Sequence, residues 1–106
     1  MPRYPTYRFT AQLWVHTGAN PWYFLTLPED CSDDIEMRVP SAGRGFGSAK
    51  VRVTVGTARW ETSVFPDAKR GAYVLPVKKA VREGQGLMAG RPVDVVLELT
   101  DPLAVH

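Results

Sequence analysis

Apolar and polar residues alternate along much of this chain, with the period of two that belongs to strands. From Tyr7 to His16, Phe9, Ala11, Leu13 and Val15 fall on one face, and Arg8, Thr10, Gln12 and Trp14 on the other, which predicts a half-buried strand. The turn set Thr17-Gly18-Ala19-Asn20-Pro21 ends it. Trp22 to Leu27, WYFLTL, is apolar on both faces and reads as a strand whose orientation the pattern leaves open. Ser48 to Val55 alternates again, with Val51, Val53 and Val55 on one side and Lys50, Arg52 and Thr54 on the other. Gly56-Thr57 then fits a two-residue hairpin turn, because glycine supplies the positive φ that such a turn needs. That register sets Val53 opposite Trp60, Val51 opposite Thr62, Arg52 opposite Glu61 and Lys50 opposite Ser63. Apolar meets apolar and charge meets countercharge. YVLP is a further short strand, and PVDVVLEL a last one, with Val93, Val95, Leu97 and Leu99 inward. DPLAVH, at the end, is expected to fray.

Two segments carry helical spacing instead. Pro28 opens PEDCSDDIEMR, where Cys31, Ile35 and Val39 recur on one face, carboxylates crowd the first turns, and Pro40 closes the element. Pro76 is expected to start the second helix. Val77, Ala80 and Val81 form its inner stripe, Lys78, Lys79 and Arg82 point outward, and Gly84 and Gly86 stop it. LPEDCSDDI and LPVKKAVRE thus each follow an apolar strand and lead through glycine to alternating valines. Their Leu-Pro pairs lie 48 residues apart. Strand, short helix, Gly turn and strand, occurring twice, predict two similar halves closed around one core.

Composition narrows the picture. One hundred and six residues suit a single domain, whose barrel would run over about residues 7–100. A formal charge of +2 is too weak for a dedicated nucleic-acid binder. Cys31 is the lone cysteine, which excludes an intrachain disulfide and a multi-cysteine zinc site. MPRYPTYRF lacks the apolar run of a signal peptide, and no stretch is apolar enough to span a bilayer, so the expected compartment is the cytoplasm.

The stretch RGFGSAKV, Arg44 to Val51, has a bland reading and several functional ones. An RNA-recognition octamer stacks bases on aromatics at its third and fifth positions; Phe46 fills the third, but Ser48 stands at the fifth. A phosphate loop needs glycine directly before its lysine and a helix after it; here Ala49 precedes Lys50 and a strand follows. The third glycine of a dinucleotide fingerprint is also missing, its place taken by Lys50. Structural glycines at a strand start account for the run.

Candidate chemistry reduces to cations and rings. Arg44, Lys50, Arg52, Lys78, Lys79 and Arg82 would receive an anion if their loop and the second helix share one end of the barrel, with Thr62 and Ser63 as hydroxyl donors. The bland reading is solvated surface, with Arg52 paired to Glu61, and with the helix cations favouring its C-terminus through the dipole. Trp14, Trp22, Tyr23, Trp60 and Tyr73 are candidates for the wall of a flat-ligand pocket. Trp60, opposite Val53, is also expected in the core, and Trp14, on the outer face, is a candidate interface residue. For catalysis, His16 and His106 are the near-neutral bases, and nothing in the spacing brings His16 to Cys31. Ser63 lacks the glycines of a nucleophile elbow, and Asp33-Asp34 diverge on a helix and make a poor metal pair.

The segment VLPVKKAVREGQGLMAGRPVDVVLEL resembles the swapped-hairpin unit of AbrB-type transition regulators and antitoxins. Over about Arg8 to Leu99 the chain resembles still more a bacterial family known as domain of unknown function nineteen-oh-five. The resemblance rests on Trp22-x-Phe24-x-x-Leu27-Pro28, GRGFGSAKVRVTVG, WETSVFP, YVLPVKKAVR and GLMAGRPVDVVLEL. It implies a mainly β fold, a double-split β-barrel of AbrB-like, pseudo-twofold design with two short helices. In some relatives that barrel is joined to a YdeI-like domain, which is not expected in these 106 residues. The family brings no reaction, cofactor or catalytic residue.

The function expected from these readings is a small cytoplasmic binding module. It would be non-catalytic, without metal or cofactor, and would recognise a small anionic or aromatic molecule or a protein partner. An AbrB-like nucleic-acid binder is the first competing reading; the acidic first helix, in the place equivalent to the basic second one, argues against a duplex. An unrecognised enzyme is the second. Monomer and homodimer both stay open.

Overall fold

A computed structural model describes residues 4–39 and 47–101. Six strands and two helices follow in the order β1 (Thr6–His16), β2 (Trp22–Thr26), α1 (Glu29–Arg38), β3 (Ala49–Val55), β4 (Ala58–Asp67), β5 (Ala72–Pro76), α2 (Lys79–Gln85) and β6 (Pro92–Leu99). All pairings are antiparallel and close a barrel in the ring order β1-β2-β5-β4-β3-β6, which leaves no open sheet edge. The long strands β1 and β4 each serve two partners. β1 pairs with β6 through Gln12 and with β2 from Leu13. β4 pairs with β3 through Val64 and with β5 from Phe65.

The hairpin of β3 and β4 has the register that its side-chain alternation predicts, from Val55 opposite Ala58 to Lys50 opposite Ser63. Gly56 holds the turn at φ 58°, and a Cβ there would collide with the Gln85 amide oxygen. Gln85 in turn accepts from the Thr57 N–H at 3.3 Å and donates to the Thr57 hydroxyl at 2.9 Å, tying the end of α2 to this turn. Val51, Val53 and Val55 are buried together with Val93, Val95, Leu97 and Leu99. Removing each such side chain from water contributes about 1.5–3 kcal/mol, which is why the alternation holds.

The ring order maps onto itself when β1, β2 and β3 exchange with β4, β5 and β6. The two halves meet where Leu25 faces Leu75 across β2 and β5, both fully buried. The Leu27 N–H donates to the Tyr73 carbonyl at 2.9 Å, and the Val77 N–H donates to the Tyr23 carbonyl at 2.9 Å. Helices begin at Glu29 and Lys79, each one residue past its N-cap, Pro28 or Lys78, so the halves are fifty residues apart. The Leu-Pro spacing of 48 is therefore misleading: Leu27-Pro28 is equivalent to Val77-Lys78.

This corrects the expected start of the second helix. Pro76 is the last residue of β5, opposite Phe24, and Val77 is buried but precedes the helix. Ala80 is exposed instead of inward, and Arg82 is half-buried instead of outward, since the later start rotates the apolar stripe onto Val81. Gly84 lies within α2, and Gly86 ends it at φ 63° in the left-handed region. Helix α1 agrees with its pattern: Cys31, Ile35 and Val39 are buried, and the Asp30 carboxylate accepts the Cys31 N–H at 2.9 Å. Tyr7 donates to Asp34, as does Arg38 at 2.8 Å, fastening α1 to β1. These bonds, Tyr7's first, hold the Asp34 carboxyl below its usual range, while burial and Asp34 push the Tyr7 phenol up. The predicted loop and phosphate-loop residues Pro40 to Phe46, and the fraying tail beyond Asp101, lie outside the described residues.

Candidate functional site

Where β4 turns from β3 towards β5, its first half diverges from the end of β5, and α2 lies alongside. A groove of about 390 Å³ opens there, within the size range of small-molecule sites. Its aromatic walls are Trp22 and Tyr23 from β2 and Trp60 from β4, and its cations are Lys78, Lys79 and Arg82. Thr62, Glu61, Pro21, Pro76 and Val77 complete it. Trp60 is half-buried: part of the ring packs on the core, as its place opposite Val53 requires, and part lines the groove.

Arg82 is the residue with the most informative environment. Its guanidinium carbon lies 3.7 Å from the centroid of the Tyr23 ring, a cation–π stack that shields one face of the group. Its Nε is buried and has no hydrogen-bond partner among the described residues. Lys79 makes only a solvent-exposed contact with Glu83 at 3.8 Å. Lys78 and Lys79 sit at the N-terminal end of α2, so the helix dipole does not explain them; their charge is unfavourable there by about 0.3–1 kcal/mol each. Only Arg82 is in the last turn, where the dipole welcomes a cation.

The predicted cationic set thus divides. Lys78, Lys79, Arg82, Trp60 and Thr62 come together at the groove. Lys50 and Ser63 face each other on the outside of β3 and β4, away from it. Arg52 reaches Glu61 at 3.4 Å and Glu98 at 3.8 Å, and Arg59 reaches Glu98 at 3.5 Å, an exterior charge network. Arg44 and His106 lie outside the described residues. Among the candidate aromatics, Trp22, Tyr23 and Trp60 line the groove, while Trp14 and Tyr73 do not. Trp14 packs against Phe24 at 4.9 Å between centroids, donates from Nε1 to Thr26 at 2.8 Å, and lies under Arg70 at 3.7 Å. The Tyr73 hydroxyl donates to the Gly47 carbonyl at 3.2 Å, and burial raises its pKa. Pro21, Pro76 and Val77 carried no signal in the sequence, since only the tertiary approach of β2, β4 and α2 makes them neighbours.

The candidate base His16 and the candidate nucleophile Cys31 do not come together. His16 is exposed at the end of β1, and Cys31 is buried on α1. Burial, then the Asp30 carboxylate, pushes the Cys31 thiol up and keeps it protonated. No His or Cys lines the groove, and Glu61, its carboxylate, is paired with Arg52. No group of three or more metal-ligating side chains occurs among the described residues, and no described helix is long and apolar enough to cross a membrane. A family model, Domain of unknown function (DUF1905), matches residues 9–97. No curated protein matches the chain.

Proposed function

Because the chain belongs to the DUF1905 family, described as a domain of unknown function, we propose its role from its own groove: a non-catalytic binding module for a small anionic molecule with a planar, aromatic part. The observation that carries this reading is Arg82, stacked on Tyr23 with an unpartnered Nε and flanked by Lys78 and Lys79. A guanidinium laid on a ring keeps its edge donors in plane, where they match the two oxygens of a carboxylate or phosphate. A buried donor left without an acceptor costs about 1–3 kcal/mol, a cost that a bound anion removes. Trp60 and Trp22 offer the flat apolar surface for the rest of the ligand.

The same reading covers fold class and setting. The barrel is of the double-split, AbrB-like kind, supported by a ring order that exchanges its halves. Its setting, on this reading, is the cytoplasm. A nucleic-acid role is disfavoured by the carboxylates Glu29, Asp30, Asp33 and Glu36 on α1, in the place equivalent to basic α2.

Thermal unfolding with phenyl phosphate, benzoate and inorganic phosphate tests the proposal. The aromatic anions are expected to raise the midpoint in the wild type, more than inorganic phosphate does, and to leave Arg82→Ser and Trp60→Ala unmoved. Equal shifts in wild type and both variants would contradict it.

A further inference from the structure

The barrel wears two different outer faces. Around β3, β6 and the adjoining halves of β1 and β4, the outward residues are polar, typified by Lys50, Arg52, Arg59, Glu61 and Glu98, and tied by ion pairs. Around β2, β5 and the other ends of β1 and β4, Trp14, Trp22, Phe24, Val74 and Phe65 point outward, with His16 beside Trp22 and Thr26 beside Val74. Trp22 is 58% exposed and Phe65 is 43% exposed. Phe24 packs on both tryptophans, tilted against Trp14 at 4.9 Å and stacked on Trp22 at 6.2 Å between centroids. Val74 is buried yet belongs to no part of the inner core, consistent with its place on this outer face next to Phe65. Closing the barrel requires none of these rings outside, and exposed rings gathered on one outer face mark a contact surface.

Charge at its two ends points to the occupant. β2 and β5 are antiparallel, so the chain leaves the face at opposite ends. Past β2 come Pro28, beside Trp14 and Thr26, and then exposed Glu29 and Asp30. Past β5 come exposed Lys78 and Lys79, beside Trp22 and Pro76. We infer that this face seats a second copy of the chain. A twofold axis lying in the face and running across the strands stacks ring on ring and sets Glu29 and Asp30 of one protomer against Lys78 and Lys79 of its partner. Such an isologous contact uses one patch twice. Arg70, at the acidic end, covers the Trp14 ring at 3.7 Å and is neutralised by Asp67 at 3.4 Å, so the rings open to a partner are Trp22 and Phe65.

Sedimentation equilibrium across micromolar to millimolar protein tests the pairing. The wild type is expected to dimerise, and Phe65→Asp, which places a charge on the exposed apolar face, to weaken dimerisation by about 30-fold or more. Trp22, Lys78 and Lys79 also line the groove, so pairing and phenyl phosphate compete for them; Phe65 lies outside it, so Phe65→Asp still binds phenyl phosphate if the ligand reading holds, and the two proposals fail separately. Two charge variants fix the orientation. Lys78→Glu with Lys79→Glu makes both ends acidic, and Glu29→Lys with Asp30→Lys makes both ends basic. Each alone is expected to be mostly monomeric, and their equimolar mixture to form the heterodimer. A wild type that stays monomeric at millimolar concentration, a dimer indifferent to Phe65→Asp, or a mixture that never pairs would each overturn the inference.

Discussion

Helices α1 and α2 occupy equivalent places fifty residues apart, and almost everything chemical about them is opposed. α1 opens with Glu29 and Asp30 and closes with Arg38, the arrangement that the helix dipole favours. α2 opens on Lys78 and Lys79, charges that the dipole disfavours there, and neither helix has a side-chain hydrogen bond at its N-cap. At the position where α1 carries Ser32, α2 carries Arg82. Ser32 is buried, and its hydroxyl accepts the Tyr73 backbone N–H at 3.0 Å. Arg82 instead lies over Tyr23, the counterpart of Tyr73, with a donor left over. One fold position has been satisfied internally in one half and left open in the other. Local stability explains α1; it does not explain α2, and that difference is what locates the site.

The largest effect expected is one that both halves share. Leu25→Ala and Leu75→Ala, at the contact between the halves, should each lower unfolding free energy by about 2–5 kcal/mol in urea titrations. A large disparity between them would show that the halves are not packed alike. Next, Ser32→Ala strands the Tyr73 N–H and should cost about 1–3 kcal/mol, whereas Arg82→Leu removes an unsatisfied donor and should cost less in the same assay. The reverse ranking would sink the contrast drawn at this position. Smallest and opposite in sign, Lys78→Asp supplies an N-cap acceptor and a favourable charge, and should stabilise the fold by about 1 kcal/mol while weakening phenyl phosphate binding by calorimetry. Stabilisation with binding intact would remove Lys78 from the site.

The hairpin of β3 and β4 was legible residue by residue, because both faces constrain one register: Val53 needs Trp60, and Arg52 needs Glu61. The start of α2 was not. Pro76 fits the first turn of a helix as well as the end of a strand, and only its pairing with Phe24 decides between them. The offset between halves was hidden for a related reason. Leu-Pro recurs as a dipeptide, but equivalence is set by backbone pairing about Leu25 and Leu75. At the site, the cations and rings were visible as residue types. The approach of Arg82 to Tyr23 was not, since it joins elements far apart in sequence and depends on the three residues by which α2 starts late.

The central claim is that the α2 side binds and the α1 side does not, and backbone amide shift mapping with phenyl phosphate tests it most directly. The account predicts saturable shifts at Tyr23, Glu61, Thr62 and Val77 through Arg82, with α1 from Glu29 to Arg38 unmoved, and their loss in Arg82→Ser. Shifts centred on α1, or on the outer charge network around Lys50 and Arg52, would contradict it.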